Sequence, residues 1–487
     1  MGIVATQSFK NIISTYLGFL VGAINTLFLY TEFLSDEYYG MVGFMLSAAY
    51  VMMPLMAFGV HNTLVKFYSS FKTRVSINSF LTLMLLLPLA IIIPLSIIGY
   101  IGYETIGGFL SSKNAIIKDY LWHTIIIAIA LAYFEVFFAW AKVQMKTVFG
   151  NFMKEVFHRV ATMILLFLLY FDTIDVEQFM VGLVVIYLLR MLVMKLYALS
   201  VKLPVITFKR VSGLTSILKY SSLIVIAGLV ATNLLDIDKV MLGKLLQNTN
   251  NIAYYNVAIF ITAVIAVPQR SMHQILLPLS AKYLNESDFD ALGDLYKKSS
   301  LNLFIVGGLI FLLIILNINQ MYRLIDGAYS VGLYVVLLIS VAKLYDSILG
   351  SNNAILFNSD YYRFVLISGI VIVVLMIILN IIFIPIYGIN GAALATFIAI
   401  FFYNTVKLYF VYKYFKMLPF TINSLKTGIL IFLGGLVFYF WDFSFHPIVN
   451  VVLKSILISI SYVFIVYKFN LSNDITDIIN KTVKKIL

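Results

Sequence analysis

Apolar residues in this chain gather into long runs separated by short polar turns, and the alternation continues from one end to the other. The runs fall at roughly 8–30, 40–62, 78–102, 121–141, 155–171, 178–200, 220–243, 253–276, 298–317, 331–350, 363–384, 390–412, 425–441 and 448–468. Most carry a helix through a hydrocarbon core ~30 Å thick, which takes about 20 residues. In lipid every backbone N–H and C=O must be bonded within the spanning element, so such runs become helices. A β-barrel would instead show alternating segments of about 10 residues. The pattern predicts an all-α membrane protein with about 14 transmembrane helices.

The polar turns orient it. The first holds Glu32, Asp36 and Glu37 and no cation, and the next holds Lys66, Lys72 and Arg74. Lys142, Lys146 and Lys154 follow the fourth run, Asp172, Asp175 and Glu177 the fifth, and Lys195, Lys202, Lys209, Arg210 and Lys219 the sixth. Residues 247–251 and 385–390 carry no cation, whereas Lys413, Lys416 and Lys426 share one turn and Lys481, Lys484 and Lys485 lie in the tail. Lys113, Lys118 and Arg323 are the exceptions. By the positive-inside rule both termini of this multi-pass protein are expected to be cytoplasmic.

The long basic connection at 195–219 separates six runs from six. It divides the chain into an N-terminal six-helix lobe (1–200), a cytoplasmic linker (201–219), a C-terminal six-helix lobe (220–412), two further helices (413–468) and a tail (469–487). A faint parallel repeat relates the lobes. A Tyr pair, Tyr38-Tyr39 or Tyr254-Tyr255, opens an apolar helix with a proline near its middle, Pro54 or Pro268. In the tail, Ile475, Ile478, Ile479, Val483 and Ile486 share one helical face opposite lysines, the pattern of an interfacial amphipathic helix.

Composition agrees. The chain is 62% hydrophobic and 11% charged, against about 25% charged in soluble domains. Its net charge of +12 follows the topology, so no nucleic-acid role is expected. Cysteine is absent. No cleaved signal peptide is evident, and the myristoylation-like Met1, Gly2 and Thr6 are read as chance.

Charges inside the runs carry the chemistry, since each costs about 2.5–3.5 kcal/mol at a helix centre. They are Glu135, Arg190, Asp236, Asp238, Lys239, Arg270, Lys343 and Asp346, with His61, His123 and His273 nearer the ends. Asp236 with Lys239, Lys343 with Asp346, and Glu155 with Arg159 stand at ion-pair spacing within one helix. Arg190 has no acid within helix reach, so it is expected to face the interior. Asn25, Asn233, Asn256, Asn302, Asn380 and Asn404 are read as bridges between helices or as cavity lining, and Gly18 with Gly22 as a close packing face. No HExxH, GxSxG, P-loop or dinucleotide fingerprint is present, so neither an enzyme nor a bound cofactor is expected.

Several stretches resemble Wzx-type oligosaccharide flippases of the multidrug/oligosaccharidyl-lipid/polysaccharide exporter superfamily. They are Gln7 to Tyr30 followed by Phe33-Leu34-Ser35-Asp36-Glu37-Tyr38-Tyr39-Gly40, Asp238 to Gly243 with Ala253-Tyr254-Tyr255, Asn353 to Asp360, and the turn from Pro385 to Thr396. The resemblance implies two six-helix lobes around a V-shaped central cavity, alternating access, and two extra C-terminal helices. It implies a cargo of undecaprenyl-pyrophosphate-linked oligosaccharide repeat units, flipped to the periplasmic leaflet for O-antigen or other cell-surface polysaccharide. A polymerase of the same pathway and H⁺ or Na⁺ as coupling ion are the expected partners, beside membrane lipids. Arg190, Arg270, Lys343 and Lys239 are the expected pyrophosphate-facing cations, and Glu135, Asp236, Asp238 and Asp346 the expected ion-coupling acids. Glu135 is favoured because no cation sits one turn before it in its own helix.

Three other readings compete. A drug or ion antiporter of the superfamily would favour an acid deep in the first helix, and 8–30 has none. A peptidoglycan-precursor (lipid II) flippase shares fold and span number. A polysaccharide polymerase or ligase needs a large outer loop, and the longest here, roughly 103–120, has no clustered acids or histidines. The topology is checked by reporter fusions. Those at Asp36, Thr173, Asn250 and Ile389 should report outside, and those at Lys72, Lys209, Lys416 and Lys485 inside; one swapped site breaks the scheme.

Overall fold

The computed structural model describes residues 3–203, 205–231 and 234–486, and every regular element among them is a helix. Met1, Gly2 and Asn233 lie outside the described residues, as do the side chains of Thr6 and of 482–487. Twelve helical stretches are long and apolar enough to cross a membrane, so this is a multi-pass membrane protein. The remaining two expected spans appear in pieces. One is the stretch Val148–Phe152, Met153–Phe157 and His158–Tyr170, whose middle segment is a π-helix. The other comprises Leu214–Ala231 and Leu234–Leu245. Together they account for the expected fourteen. The ninth is longer than its apolar run, since Phe289–Leu324 has 36 residues and begins in a polar overhang where Asp294 pairs with Lys298 at 2.8 Å.

The chain divides into two compact units, residues 1–256 with 380–388, and residues 257–379 with 389–487. The helices over 214–256 thus belong to the first unit, although the basic linker precedes them.

In the first unit the Leu121–Lys142 helix is central, with 78% of its apolar window buried. Ala128, Ala130, Ala132, Ala139 and Ala141 let neighbouring backbones approach it, and Phe134, Phe137, Phe138 and Trp140 fill the space around them. It packs against Asp36–Met56, Val60–Phe67 and Val176–Val201. The first helix packs on the π-helical stretch through Gly18, where a Cβ would overlap the Glu155 carbonyl. That agrees with a packing role for this glycine.

The ends expected to face outside are tied together by polar contacts. Asn114 donates to the carbonyls of Gly243 and Leu246 at 2.6 and 2.8 Å, and Lys244 donates to Ser112 at 2.9 Å and to the Phe109 carbonyl. Thr249 donates to the Glu37 carbonyl at 2.9 Å, and Tyr254 to Asp36 at 2.9 Å. Both members of the Tyr-pair repeat bond back to the preceding helix: Tyr39 to the Thr26 carbonyl at 3.1 Å, Tyr255 to Asp238 at 2.6 Å.

In the second unit Phe289–Leu324 packs against Leu333–Ile348, Ile422–Tyr439 and Pro447–Lys468. The last of these is buried along one stripe at four-residue spacing, Asn450, Lys454, Ile458, Tyr462 and Val466. The rest of its surface is open, and so is most of Ile422–Tyr439, as suits helices coated by lipid. The tail forms the helix Asn473–Ile486. Asn302 donates to its Asp474 at 2.7 Å, and Ile475 packs on the core while Ile478 stays exposed.

Gly40 is the position where this packing has least slack, because a Cβ there would overlap the Thr249 backbone. Gly40→Ala should therefore lower thermal stability in detergent by the equivalent of about 1–3 kcal/mol. An unchanged melting temperature would show that the contact can relax freely.

Candidate functional site: charges buried among the helices

Glu135 projects from the central Leu121–Lys142 helix and is 8% exposed. Its Oε1 lies 2.6 Å from Lys154 Nζ. Lys154 stands in the π-helix Met153–Phe157, where each turn holds an extra residue and the side chains that follow are offset from ordinary helical register. Glu135 thus does have a cation, supplied by another helix rather than its own. Lys142 and His61 lie within electrostatic reach of the same carboxylate.

Arg190, in Val176–Val201, is 3% exposed and pairs with no acid within 4 Å among the described residues. Its Cζ lies 4.0 Å from the Phe134 ring centroid, a cation–π contact, and Nη2 donates to the Lys154 carbonyl at 3.4 Å. Its Nε and Nη1 have no hydrogen-bond partner. No ion pair joins Arg190 to Glu135, whose contact cation is Lys154.

The acids of Leu234–Leu245 have different surroundings. Asp236 pairs with Lys239 at 3.5 Å, as their spacing suggested, and accepts from Ser47 at 2.8 Å. Asp238 is fully buried and accepts from Tyr255 at 2.6 Å and Asn380 at 2.8 Å. Glu155 and Arg159 pair at 3.4 Å, also as their spacing suggested. Asn25 and Asn380 do bridge helices, Asn25 by donating to the Arg159 carbonyl at 2.8 Å.

In the second unit Asp346 lies 4.0 Å from Lys407, not in an ion pair with Lys343 one turn before it. Lys407 is buried in Ile389–Phe415 and donates to Asn353 Oδ1 at 2.9 Å. Lys343 and Arg270 lie within electrostatic reach of each other, and Lys343 of Asp346. Arg270 is exposed at its position in Val267–Asn285. Arg190, Lys239 and Glu135 therefore belong to the first unit, and Arg270, Lys343 and Asp346 to the second.

Sequence reasoning passed over three cations that the structure makes prominent, Lys154, Lys407 and Lys454. Lys407 and Lys454 fall inside expected spans, and Lys454, buried, donates to Asp442 at 2.9 Å. Their signal was the same as that of Arg190, a lone cation in an apolar run. No group of three or more His, Cys, Asp or Glu side chains placed to hold a metal occurs among the described residues.

Asp238 generates a test that needs no substrate. Tyr255→Phe removes one donor from a buried carboxylate, and a hydrogen bond to a charged group contributes about 1.5–3 kcal/mol. The variant should melt at a lower temperature with unchanged helix content. Equal stability would mean that this hydrogen bond contributes nothing net to the fold.

No family model and no curated protein matches the sequence. Solved structures do match the fold. The lipid II flippase MurJ, in an inward closed conformation, superposes with a TM-score of 0.72 over 94% of this chain and 99% of that one, at 16% identity. An inward-facing multidrug resistance MATE family transporter of the MOP superfamily gives 0.63 over 84% of this chain and 98% of that one, at 13% identity. An outward-facing one gives 0.57 over 84% and 95%, at 14%. The chain has the fold these MOP-superfamily transporters share.

Proposed function

We propose that this chain is a flippase that carries an undecaprenyl-pyrophosphate-linked oligosaccharide from the cytoplasmic to the periplasmic leaflet for cell-surface polysaccharide such as O-antigen. The observation that carries the reading is the buried Arg190, a guanidinium with no acidic partner and two nitrogens without hydrogen bonds. It stands in a cluster where Arg190, Lys154 and Lys142 surround Glu135, with Glu155 also within electrostatic reach of Lys154. A surplus of cation in such a cluster suits an anionic cargo. Each sugar hydroxyl costs several kcal/mol to strip into hydrocarbon unaided, so such a cargo needs a polar path. Its lipid tail does not. An apolar groove of about 820 Å³ in the second unit, lined by Leu312, Ile429, Leu433, Gly434, Trp441 and Tyr462, suits a polyprenyl chain. Export of the anion is further aided by an inside-negative potential, about 2.3 kcal/mol per charge per 100 mV.

The likeness to the lipid II flippase favours a second reading, in which the cargo is the peptidoglycan precursor. The two cargoes share the polyprenyl pyrophosphate and differ in the head. The antiporter reading keeps the fold but gives Arg190 no task. In the flippase reading Arg190 and Lys239 of the first unit, and Arg270 and Lys343 of the second, are the cations that meet the pyrophosphate. Coupling to H⁺ or Na⁺ falls to Glu135, Asp236, Asp238 or Asp346.

Vesicles containing the purified protein, given each lipid-linked head in turn, separate the readings by which one reaches the opposite leaflet. Arg190→Lys should keep the charge but lose part of the transport, because the planar fork that bonds two phosphate oxygens is gone. Arg190→Ala should lose about tenfold or more, the size of a charge-assisted hydrogen bond. A well-folded Arg190→Ala protein that transports normally would remove Arg190 from the site.

A further inference from the structure

We infer that Glu135 is an internal stand-in for the cargo's phosphate: it holds Lys154 while the site is empty, gives it up to the arriving pyrophosphate, and takes it back when the cargo leaves. The inference rests on the flippase reading and deepens it. Glu135 would otherwise be expected to pair with a cation as deeply buried as itself. Arg190 is such a cation, it touches the Lys154 backbone, and yet it is not the partner. The carboxylate instead grips a lysine whose side chain is 41% exposed, against 10% for its own. Lys154 is therefore the member of this ion pair that an entering anion can reach.

A carboxylate and a phosphate offer an ammonium the same thing, an anionic oxygen at contact distance, so they compete for it. Lys154 sits on a π-helical turn, a local break in the α-helix around it, and its long flexible stem can swing between two oxygens. Arg190 is held over Phe134 with Nε and Nη1 unpaired, positioned to take a second phosphate oxygen once Lys154 has turned. The exchange has a kinetic use. A cationic site without an internal competitor would bind the pyrophosphate and keep it. With Glu135 waiting for Lys154, release replaces one ion pair by another and leaves neither charge alone in low dielectric.

The test is binding of a short-chain polyprenyl pyrophosphate to the full-length protein in detergent, measured by calorimetry. Lys154→Gln should bind about tenfold more weakly, and Glu135→Gln about tenfold more tightly, since its competitor is gone. In vesicles Glu135→Gln should turn over more slowly because release is impaired. In a Lys154→Gln background, Glu135→Gln should change binding little. If Glu135→Gln fails to fold, Glu135→Asp, one methylene short of Lys154, should bind more tightly than the parent to a lesser degree. Binding by the parent that Glu135→Gln leaves equal or weakens overturns the exchange and leaves the flippase reading standing. Tightening that persists without Lys154 also overturns it. A parent protein that binds no pyrophosphate overturns the flippase reading and the exchange with it.

Discussion

Hydrocarbon offers no hydrogen bonds, so a chain that crosses it must satisfy its backbone within each crossing and find partners for each charge it carries inside. The first requirement makes every described element a helix. The second accounts for the polar chemistry of the interior. Asp238 takes donors from Tyr255 and Asn380, Lys407 leans on Asn353 and Asp346, and Lys454 reaches Asp442. Arg190 departs from the rule, since its charge is balanced by an aromatic face and a backbone carbonyl rather than by an acid.

Helix packing divides along the same lines. The Leu121–Lys142 helix is surrounded by protein, and it carries small residues for close approach and Glu135 toward one end. Pro447–Lys468 meets protein along one stripe and presents apolar side chains elsewhere. A charge on the first helix is held among partners, whereas one on the second is tolerated at the stripe alone, where Lys454 stands. The two π-helical turns, Asn25–Leu29 and Met153–Phe157, occur where the first helix and the stretch around Glu155 pack against each other. Each adds a residue to its turn, and each holds a side chain that reaches a neighbouring helix, Asn25 the Arg159 carbonyl and Lys154 the Glu135 carboxylate.

The number of crossings and the identity of most buried charges were legible in the sequence, because hydropathy and the cost of a charge in lipid are properties of single helices. So were the ion pairs Asp236–Lys239 and Glu155–Arg159, which a helix fixes by spacing. For Glu135 the same reasoning looked one turn before the acid along its own helix and found no cation, whereas the cation in contact with it comes from a neighbouring helix. It likewise matched Asp346 to Lys343 by spacing, while Lys407, far along the chain, makes the contact.

The sequence by itself thus determined an all-helical membrane protein and named Glu135, Arg190 and Asp238 among its buried charges, though not Lys407 or Lys454. The tertiary structure decided which charge meets which, because a side chain's direction across a helix interface depends on packing and on local breaks such as a π turn. It also decided where the chain's compact units end. The basic linker at 201–219 reads as a boundary by composition, but the helices over 214–256 pack with the first unit, held by Asn114, Ser47 and the close fit at Gly40 and Gly243. Charge runs mark where a chain meets water, and interdigitating side chains mark which helices belong together; the two need not coincide.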